Sequence, residues 1–164
     1  LALERLGEIY FSQRKHPQAR ETLYWLLNRG ERAINPESYY YLATSLREMK
    51  QHSEAVRAFR LFLASPGANL AKFLPDAYYA CAASQESAGD RKGALKTLEE
   101  GIKSTAFEAK DALIYKSGEI SLLAGDKTAA RKYFDLIMKK SKDQDWRRLA
   151  GQALESFDVA KNGK

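Results

Sequence analysis

Small and large apolar residues recur at fixed spacing and divide the chain into four similar segments. In each segment a small residue is followed twelve positions later by a second small one, and four positions after that by a large apolar one. The sets start 36, 39 and 36 residues apart and are Gly7, Ala19, Leu23; Ala43, Ala55, Phe59; Ala82, Ala94, Leu98; and Gly118, Ala130, Phe134. Self-similarity at such a period is typical of a helical repeat array.

Each segment predicts two helices, because its apolar residues fall at helical spacing. In the first segment, Leu6, Ile9 and Tyr10 belong to a helix A, and Leu26 and Leu27 to a helix B. Helix A is predicted at 1–14, from 35–37 onward, at 76–88 and at 108–124. Helix B is predicted at 17–30, 53–65, 91–104 and 127–141.

Residues that start and stop helices agree with these boundaries. Asn35 can accept bonds from free helical N–H groups, and Pro36 is tolerated in the first turn. The stretch Ser65-Pro66-Gly67 predicts the end of a helix. Gly89-Asp90 and Gly125-Asp126 stand at equivalent places, where glycine permits a left-handed turn after helix A and aspartate can cap helix B.

A last helix is predicted over 145–160, without a following helix B. Its apolar residues form one stripe: Trp146, Leu149, Ala150, Ala153, Leu154 and Phe157. Its polar residues face elsewhere: Arg147, Arg148, Gln152 and Glu155. The open end of a repeat array needs a lid with a polar outer surface, and this helix is predicted to supply it.

The expected fold class is therefore all-α, an α-α superhelix of four helical hairpins and a C-terminal capping helix. We expect one domain with repeats at about 1–34, 35–73, 74–107 and 108–143. The chain starts at Leu1 within a helical pattern. We interpret it as a fragment or processed form of a longer protein, whose preceding part could hold a signal, a lipid anchor or more repeats.

The repeated residues resemble the tetratricopeptide repeat. That family has small residues where helices A and B face each other and large apolar residues around them. Leu6-Gly7 with Tyr10, Ala19 and Leu23 is similar to it, as is Leu42-Ala43 with Leu46, Ala55 and Phe59. Gln85 and Ser121 depart from it late in helix A. The intervals exceed the usual value of about 34, as in bacterial cell-envelope tetratricopeptide proteins. This resemblance favours the periplasm or cell envelope.

The resemblance implies a concave groove that is lined by the A helices and binds peptides. The aligned groove positions are Glu4, Glu8 and Phe11; Tyr40, Thr44 and Arg47; Tyr79, Ala83 and Glu86; and Tyr115, Glu119 and Leu122. Tyr40, Tyr79 and Tyr115 occupy the same place in successive repeats. Either they form a ladder for an extended chain, since tyrosine combines an apolar body with a polar tip, or they pack partly against neighbouring A helices.

The charges of these positions indicate the kind of partner. Arg47 is the only basic residue assigned to the groove, whereas Glu8, Glu86 and Glu119 make it mildly acidic. The groove lacks the lysine, asparagine and arginine set with which some chaperone-binding relatives hold a terminal carboxylate. We therefore expect a peptide or protein segment that is apolar or basic.

Other chemistry is weakly represented. The net charge of +6 is modest for 164 residues, and the basic cluster Lys139, Lys140, Lys142, Arg147 and Arg148 is interpreted as a solvated helix end, so nucleic acid is an unlikely partner.

Cys81 lies in an apolar run and is predicted to be a small core residue. His16 and His52 lack further metal ligands. Glu99 and Glu100 point apart on a helix, so paired acid–base work is unlikely.

We thus expect a non-catalytic scaffold for protein–protein interaction, with no cofactor and no metal. The alternative is a regulatory or targeting module of a larger enzyme, or of an envelope assembly or secretion apparatus. Self-association through the N-terminal face is also expected, because the pattern leaves apolar surface open there. No apolar run approaches the roughly 20 residues that a membrane span needs, so a membrane would be reached only through a missing anchor or a partner.

Overall fold

The computed structural model describes residues 2–28, 34–66, 72–106 and 109–162, with side chains at 28 and 158–162 left aside. In these ranges the regular elements are helices only. They are α1 (Ala2–Ser12), α2 (His16–Asn28), α3 (Pro36–Glu48), α4 (His52–Ala64), α5 (Leu74–Ser87), α6 (Arg91–Ser104), α7 (Asp111–Leu123), α8 (Lys127–Lys140) and α9 (Gln144–Asn162). The predicted all-α helical-repeat class is confirmed.

The chain forms two compact units, Leu1–Asp90 and Arg91–Lys164. In the first unit α1 packs on α2 and α3 on α4, while α2 lies against α3 and α4 against α5. In the second unit α7 packs on α6 and α8, and α9 packs on α8 and α7. Antiparallel neighbours joined by short turns are the helical-hairpin arrangement that the repeat predicts.

The residues of the repeat are the core of these hairpins. All eight of the recurring alanine and large apolar residues of the B helices are fully buried: Ala19, Leu23, Ala55, Phe59, Ala94, Leu98, Ala130 and Phe134. The small residues of the A helices are buried as well. A Cβ atom on Gly7 would stand 2.5 Å from Leu23 Cδ2, and one on Gly118 would stand 2.7 Å from two ring carbons of Phe134. Glycine therefore permits the close approach of helices A and B there.

The turn between helix A and helix B uses a left-handed residue at the same repeat position. Gly89 has φ of +86° and Gly125 of +82°, as predicted. Arg14 and Lys50 also take positive φ values, of +57° and +60°, at the equivalent positions, which the sequence did not predict. Glycine adopts this conformation without strain, whereas a residue with a side chain does so at a cost.

The predicted helix ends are largely confirmed. The Asn35 side chain accepts a hydrogen bond from the Glu37 N–H, with Pro36 in the first turn. The Asp126 carboxylate accepts from the Ala129 N–H at 2.9 Å. Helix α5 begins at Leu74, two residues earlier than predicted. Of the predicted stop at Ser65-Pro66-Gly67, the glycine lies outside the described residues, as does the predicted start of a helix at 108.

Helix α9 has the two faces expected of a lid. Its inner residues Ala150 and Phe157 join the buried cluster of the second unit, and Trp146, Ala153 and Leu154 pack against it. The polar residues of the opposite face are exposed, namely Arg147, Arg148, Gln152 and Glu155. The cap prediction is confirmed for the second unit.

Candidate functional site

The A helices of the first unit provide the surface that the sequence predicts for binding. Helix α3 contacts both α1 and α5, so the three helices lie side by side. Four predicted positions are partly exposed there, namely Phe11 on α1, Thr44 and Arg47 on α3 and Tyr79 on α5, and Glu8 on α1 is exposed. We call this surface, formed by α1, α3 and α5, the A-helix face.

An open pocket connects two successive repeats on this face. Its volume is about 400 Å³, and it is lined by Phe11, Ser12, Arg14 and His16 from the first hairpin and by Thr44 and Glu48 from α3. Phe11 and Thr44 are predicted groove positions, and the fold brings them to one cavity. Phe11 gives the pocket one aromatic wall, and its other lining residues are polar or charged.

The aromatic wall continues from α1 across α3. The ring centroids of Phe11 and Tyr41 are 4.9 Å apart with planes tilted by 33°, and Phe11 meets His16 edge-on at 6.2 Å. The Tyr41 ring stands 6.3 Å from Phe73, just before α5. Aromatic pairs at such separations add about 0.5–1.5 kcal/mol each beyond their burial, so this wall is preformed rather than assembled by a ligand.

Tyr40 lies beside this wall and has a packing role. Its ring is 4.7 Å from Phe73 and 5.5 Å from Phe62. Its hydroxyl donates to Asp76 Oδ2 at 2.6 Å, which joins α3 to α5. Burial and the Asp76 carboxylate raise the pKa of Tyr40 well above its ordinary value. Of the two alternatives for the tyrosine ladder, packing between A helices is the one visible at Tyr40.

Carboxylates surround the exposed part of the face. Burial, together with the nearby charges of Glu37 and Glu8, raises the pKa of Tyr41 to about 12. The Arg47 guanidinium pairs with Glu48 Oε1 at 3.1 Å, so the one basic groove residue predicted for this face is already matched by a carboxylate. The charged groups beside these rings are thus Glu8, Glu37 and the Arg47–Glu48 pair, with Arg14 in the pocket.

Of the remaining predicted positions of the first unit, Glu4 on α1 accepts a hydrogen bond from the Asn35 N–H at 2.7 Å, and the others lie on α5. Tyr79, Ala83 and Glu86 are partly exposed and follow one another at helical spacing. Spacings of three and four residues place side chains on one side of a helix. The prediction that these residues contact a ligand stays a prediction.

In the second unit, Tyr115 repeats the arrangement of Tyr40. Its ring lies 5.3 Å from Phe134 and 5.6 Å from Trp146, so it joins α7 to α9. Burial, with the Glu119 charge, raises its pKa. Glu119 pairs with Lys116 at 3.4 Å, and Leu122 packs against the core of this unit. Both tyrosines thus connect one A helix to the element that occupies the next A position.

Sequence reasoning missed several contributors to the face, among them Glu48 of the pocket. Tyr41 and Phe73 complete its aromatic wall, and Asp76 accepts the hydrogen bond of Tyr40. His16, for which the sequence offers no further metal ligands, lines the pocket, and its Nδ1 lies 3.4 Å from Ser45 Oγ. A signal was available for Tyr41, since it follows Tyr40 at the position beside the groove. Phe73 gave none, because it precedes the predicted start of its helix.

The structure also bears on the other residues considered from sequence. Cys81 is fully buried, as predicted, and its thiol donates to Gln85 Oε1 at 3.8 Å. Across the described ranges, no cluster of three or more His, Cys, Asp or Glu side chains is placed to hold a metal ion. Within the same ranges, no helix is both long and apolar enough to cross a membrane. Lys139 and Lys140 occupy the last turn of α8, where cations favour the helix dipole.

Comparison with known proteins supports the tetratricopeptide resemblance. Residues 37–66, which cover α3 and α4, match the sequence model of the tetratricopeptide repeat family. Such repeats generally mediate protein–protein interaction and typically act as non-catalytic scaffolds. A search of curated proteins gives no match. The comparisons do not support the bacterial cell-envelope affinity expected from the longer repeats.

Proposed function

We propose that the protein is a non-catalytic scaffold that binds an extended peptide or protein segment along the A-helix face. The observation that carries this proposal is the pocket of about 400 Å³ in which Phe11 and Thr44, groove positions of two successive repeats, meet Glu48. A segment crossing from α1 to α3 would place one side chain in this pocket and its neighbours over the adjoining helices.

The favoured segment is apolar or basic. An aliphatic or aromatic side chain can lie against the Phe11 ring, and a lysine or arginine can reach Glu48 or Glu8 while its stem covers the aromatic wall. An acidic terminus is disfavoured, because Glu48 of the pocket and the exposed Glu8 would repel it. The preformed wall keeps the ordering cost of the receptor low, which favours affinity at a modest contact area.

The alternative is a regulatory or targeting module of a larger enzyme or of an envelope assembly or secretion apparatus. Such a module would use the same face, so the two proposals differ in the identity of the partner and not in the contact. A location in the periplasm or cell envelope belongs to this alternative and rests on the long repeat interval alone.

The experiment selects peptides from a random display library on the immobilised protein and measures their affinity by fluorescence polarisation. Glu48→Lys reverses the charge at the pocket, and Glu100→Lys makes the same change on the exposed surface of α6. We expect the selected peptides to be apolar or basic, and Glu48→Lys to weaken them at least about tenfold, since removing a charged contact costs about 1.5–3 kcal/mol.

Glu100→Lys controls for the change in net charge, which is the same in both variants. If both variants and the wild type bind the peptides with affinities equal within twofold, the binding site lies outside the pocket. If no peptide is enriched on this protein more strongly than on unrelated control proteins, the proposal is wrong. Circular dichroism of each variant separates loss of the contact from loss of the fold.

A further inference from the structure

The positive charge of the chain is concentrated on two of its B helices. Lysine and arginine exceed aspartate and glutamate by four to two on α6 and by five to one on α8. The two helices together therefore carry a net charge of +6, which equals that of the whole chain. The B helices of the first unit, α2 and α4, have three basic and two acidic residues between them. The excess of basic residues thus belongs to the B helices of the second unit.

Four lysines of α6 and α8 occupy equivalent repeat positions. Lys96 and Lys103 lie about two turns apart on α6, and Lys132 and Lys139 follow 36 residues later on α8. All four are exposed, and no ion pair joins them to a carboxylate of the described residues. Residues seven positions apart share one side of a helix and are about 10 Å apart along its axis. We call these four residues the lysine array.

A contact between α6 and α8 makes the lysine array one surface. Both helices pack on α7, and the Tyr133 hydroxyl of α8 donates to Glu99 Oε1 of α6 at 3.4 Å. Glu99 lies between Lys96 and Lys103 along α6, so the two pairs of lysines run side by side. In the chain α5 precedes α6 and α9 follows α8. The exposure of the array is therefore not that of an uncovered end of the repeat stack.

An exposed leucine lies within the array. Leu136, which is 37% exposed, comes one turn after Lys132 and one turn before Lys139 on the outer side of α8. Lysines around an exposed apolar side chain suit the boundary between anionic lipid headgroups and acyl chains. A nucleic acid backbone would contact the lysines alone, because phosphate contacts are electrostatic. The leucine thus favours a lipid surface over a nucleic acid.

We propose that the lysine array and Leu136 bind the surface of a membrane that contains anionic lipids. The ammonium groups lie among the headgroups, while the lysine stems and Leu136 contact the upper part of the acyl chains. The acidic residues of the two helices, Glu99, Glu100 and Asp135, reduce this attraction but leave the net charge strongly positive. The peptide site proposed above lies on A helices of the first unit, so either proposal can fail without the other.

The test is co-sedimentation of the whole chain with vesicles of phosphatidylcholine, with and without phosphatidylserine, at low and high salt. We expect binding only to the vesicles that contain phosphatidylserine, and its loss near 1 M salt, where screening acts within about 3 Å. Each lysine at an anionic surface strengthens binding about fivefold, so Lys132→Glu combined with Lys139→Glu should weaken it at least about 25-fold. Arg57→Glu combined with Arg60→Glu is the matched control, since it makes the same change in charge at exposed positions of α4.

A further variant separates a lipid surface from other anionic partners. Leu136→Gln should weaken vesicle binding about two- to fivefold, because the exposed part of the leucine no longer leaves water. Leu61→Gln controls for this change, since Leu61 is 51% exposed at the equivalent position of α4, and circular dichroism shows that each variant is folded.

Three results would overturn the proposal. The first is that vesicles with phosphatidylserine do not bind the chain at low salt. The second is that the variant of α4 weakens binding as much as the variant of α8. The third is that Leu136→Gln leaves vesicle binding unchanged while duplex DNA binds more tightly than the vesicles, which would assign the array to nucleic acid.

Discussion

Gly118 offers a sharp test of why helices A and B of a repeat lie so close together. A Cβ atom at this position would stand 2.7 Å from Cε1 and Cζ of Phe134, where ordinary contacts are 3.4–4 Å. Phe134 is fully buried, with Tyr115 at 5.3 Å and Phe157 at 6.3 Å from its ring. Because these rings hold Phe134 in place, Gly118→Ala forces α7 and α8 apart.

The expected effect combines two terms of opposite sign. Alanine in a helix interior is more favourable than glycine by about 1 kcal/mol. Overpacking a well-filled core costs about 1–3 kcal/mol, so Gly118→Ala should lower the free energy of unfolding by about 0–2 kcal/mol. Gly151→Ala on α9 is the matched control, since its Cβ would meet Met138 Sδ at 3.8 Å, an ordinary contact. There only the helix-propensity term remains, and the variant should gain about 1 kcal/mol.

The assay is urea unfolding followed by the fluorescence of Trp146, which lies 5.6 Å from Tyr115 and reports on the second unit. The chain has two tryptophans, so a Trp25→Phe background removes the signal of the first unit. A difference of about 1–3 kcal/mol between the two alanine variants supports the argument. Equal stabilisation by both would refute it, and Phe134→Leu should restore much of the stability of Gly118→Ala by freeing space for the new methyl group.

Three further predictions concern the turns, the second unit and the pH response. Lys50→Gly should raise the free energy of unfolding by about 0.5–1 kcal/mol in urea, because relief of a left-handed conformation outweighs the added freedom of the unfolded chain. Ser141→Ala should cost about 1–3 kcal/mol in the same assay, since the Ser141 hydroxyl donates to the buried carboxylate of Asp111 at 2.6 Å. Burial raises the pKa of Tyr41 from 10.0 to about 12, so its contribution to stability is present below pH 10 and lost as the pH rises toward 12. Tyr41→Phe should remove that part of the pH dependence of thermal unfolding.

Most of the fold could be predicted from the sequence, because the repeat fixes both the spacing of the buried residues along the chain and the size of their side chains. A small residue facing a large one specifies how near two helices come, and the same spacing of a small and a large residue recurs along the sequence. The equivalent pairs differ in their small residue. The second repeat has Ala43 and Phe59 at these two positions, whereas the fourth has Gly118 and Phe134. The period thus reveals which residues are buried, but not how far apart each pair of helices lies.

The left-handed residues mark a second limit of the pattern. Gly89 and Gly125 were predictable, because glycine is the usual residue for this conformation. Arg14 and Lys50 adopt it at the equivalent turns, where the packing of the flanking helices decides the backbone conformation. The intrinsic conformational preference of a turn residue is a weak signal when a hydrophobic core holds the two helices that the turn joins.

The sequence predicted the positions that form the candidate site better than it predicted the contacts that their side chains make. Alignment to the repeat brings Phe11 and Thr44 to one surface, and they do share a pocket. It does not reveal that Tyr41 stacks on Phe11, nor that Phe73 approaches Tyr40 from outside the repeat pattern. Such contacts depend on residues between the repeats, which no period constrains.

The position of Tyr40 separates a packing contact from the proposed binding surface on one helix. Its ring is held between Phe62 and Phe73, and its hydroxyl is bonded to Asp76, so a ligand that displaced it would break the connection between α3 and α5. Thr44 and Glu48 follow on the same side of α3, one and two turns later, where the pocket remains open. Differences in partner preference among repeats of this kind should therefore arise at the later turns of helix A, since substitutions there change the pocket without loosening the stack.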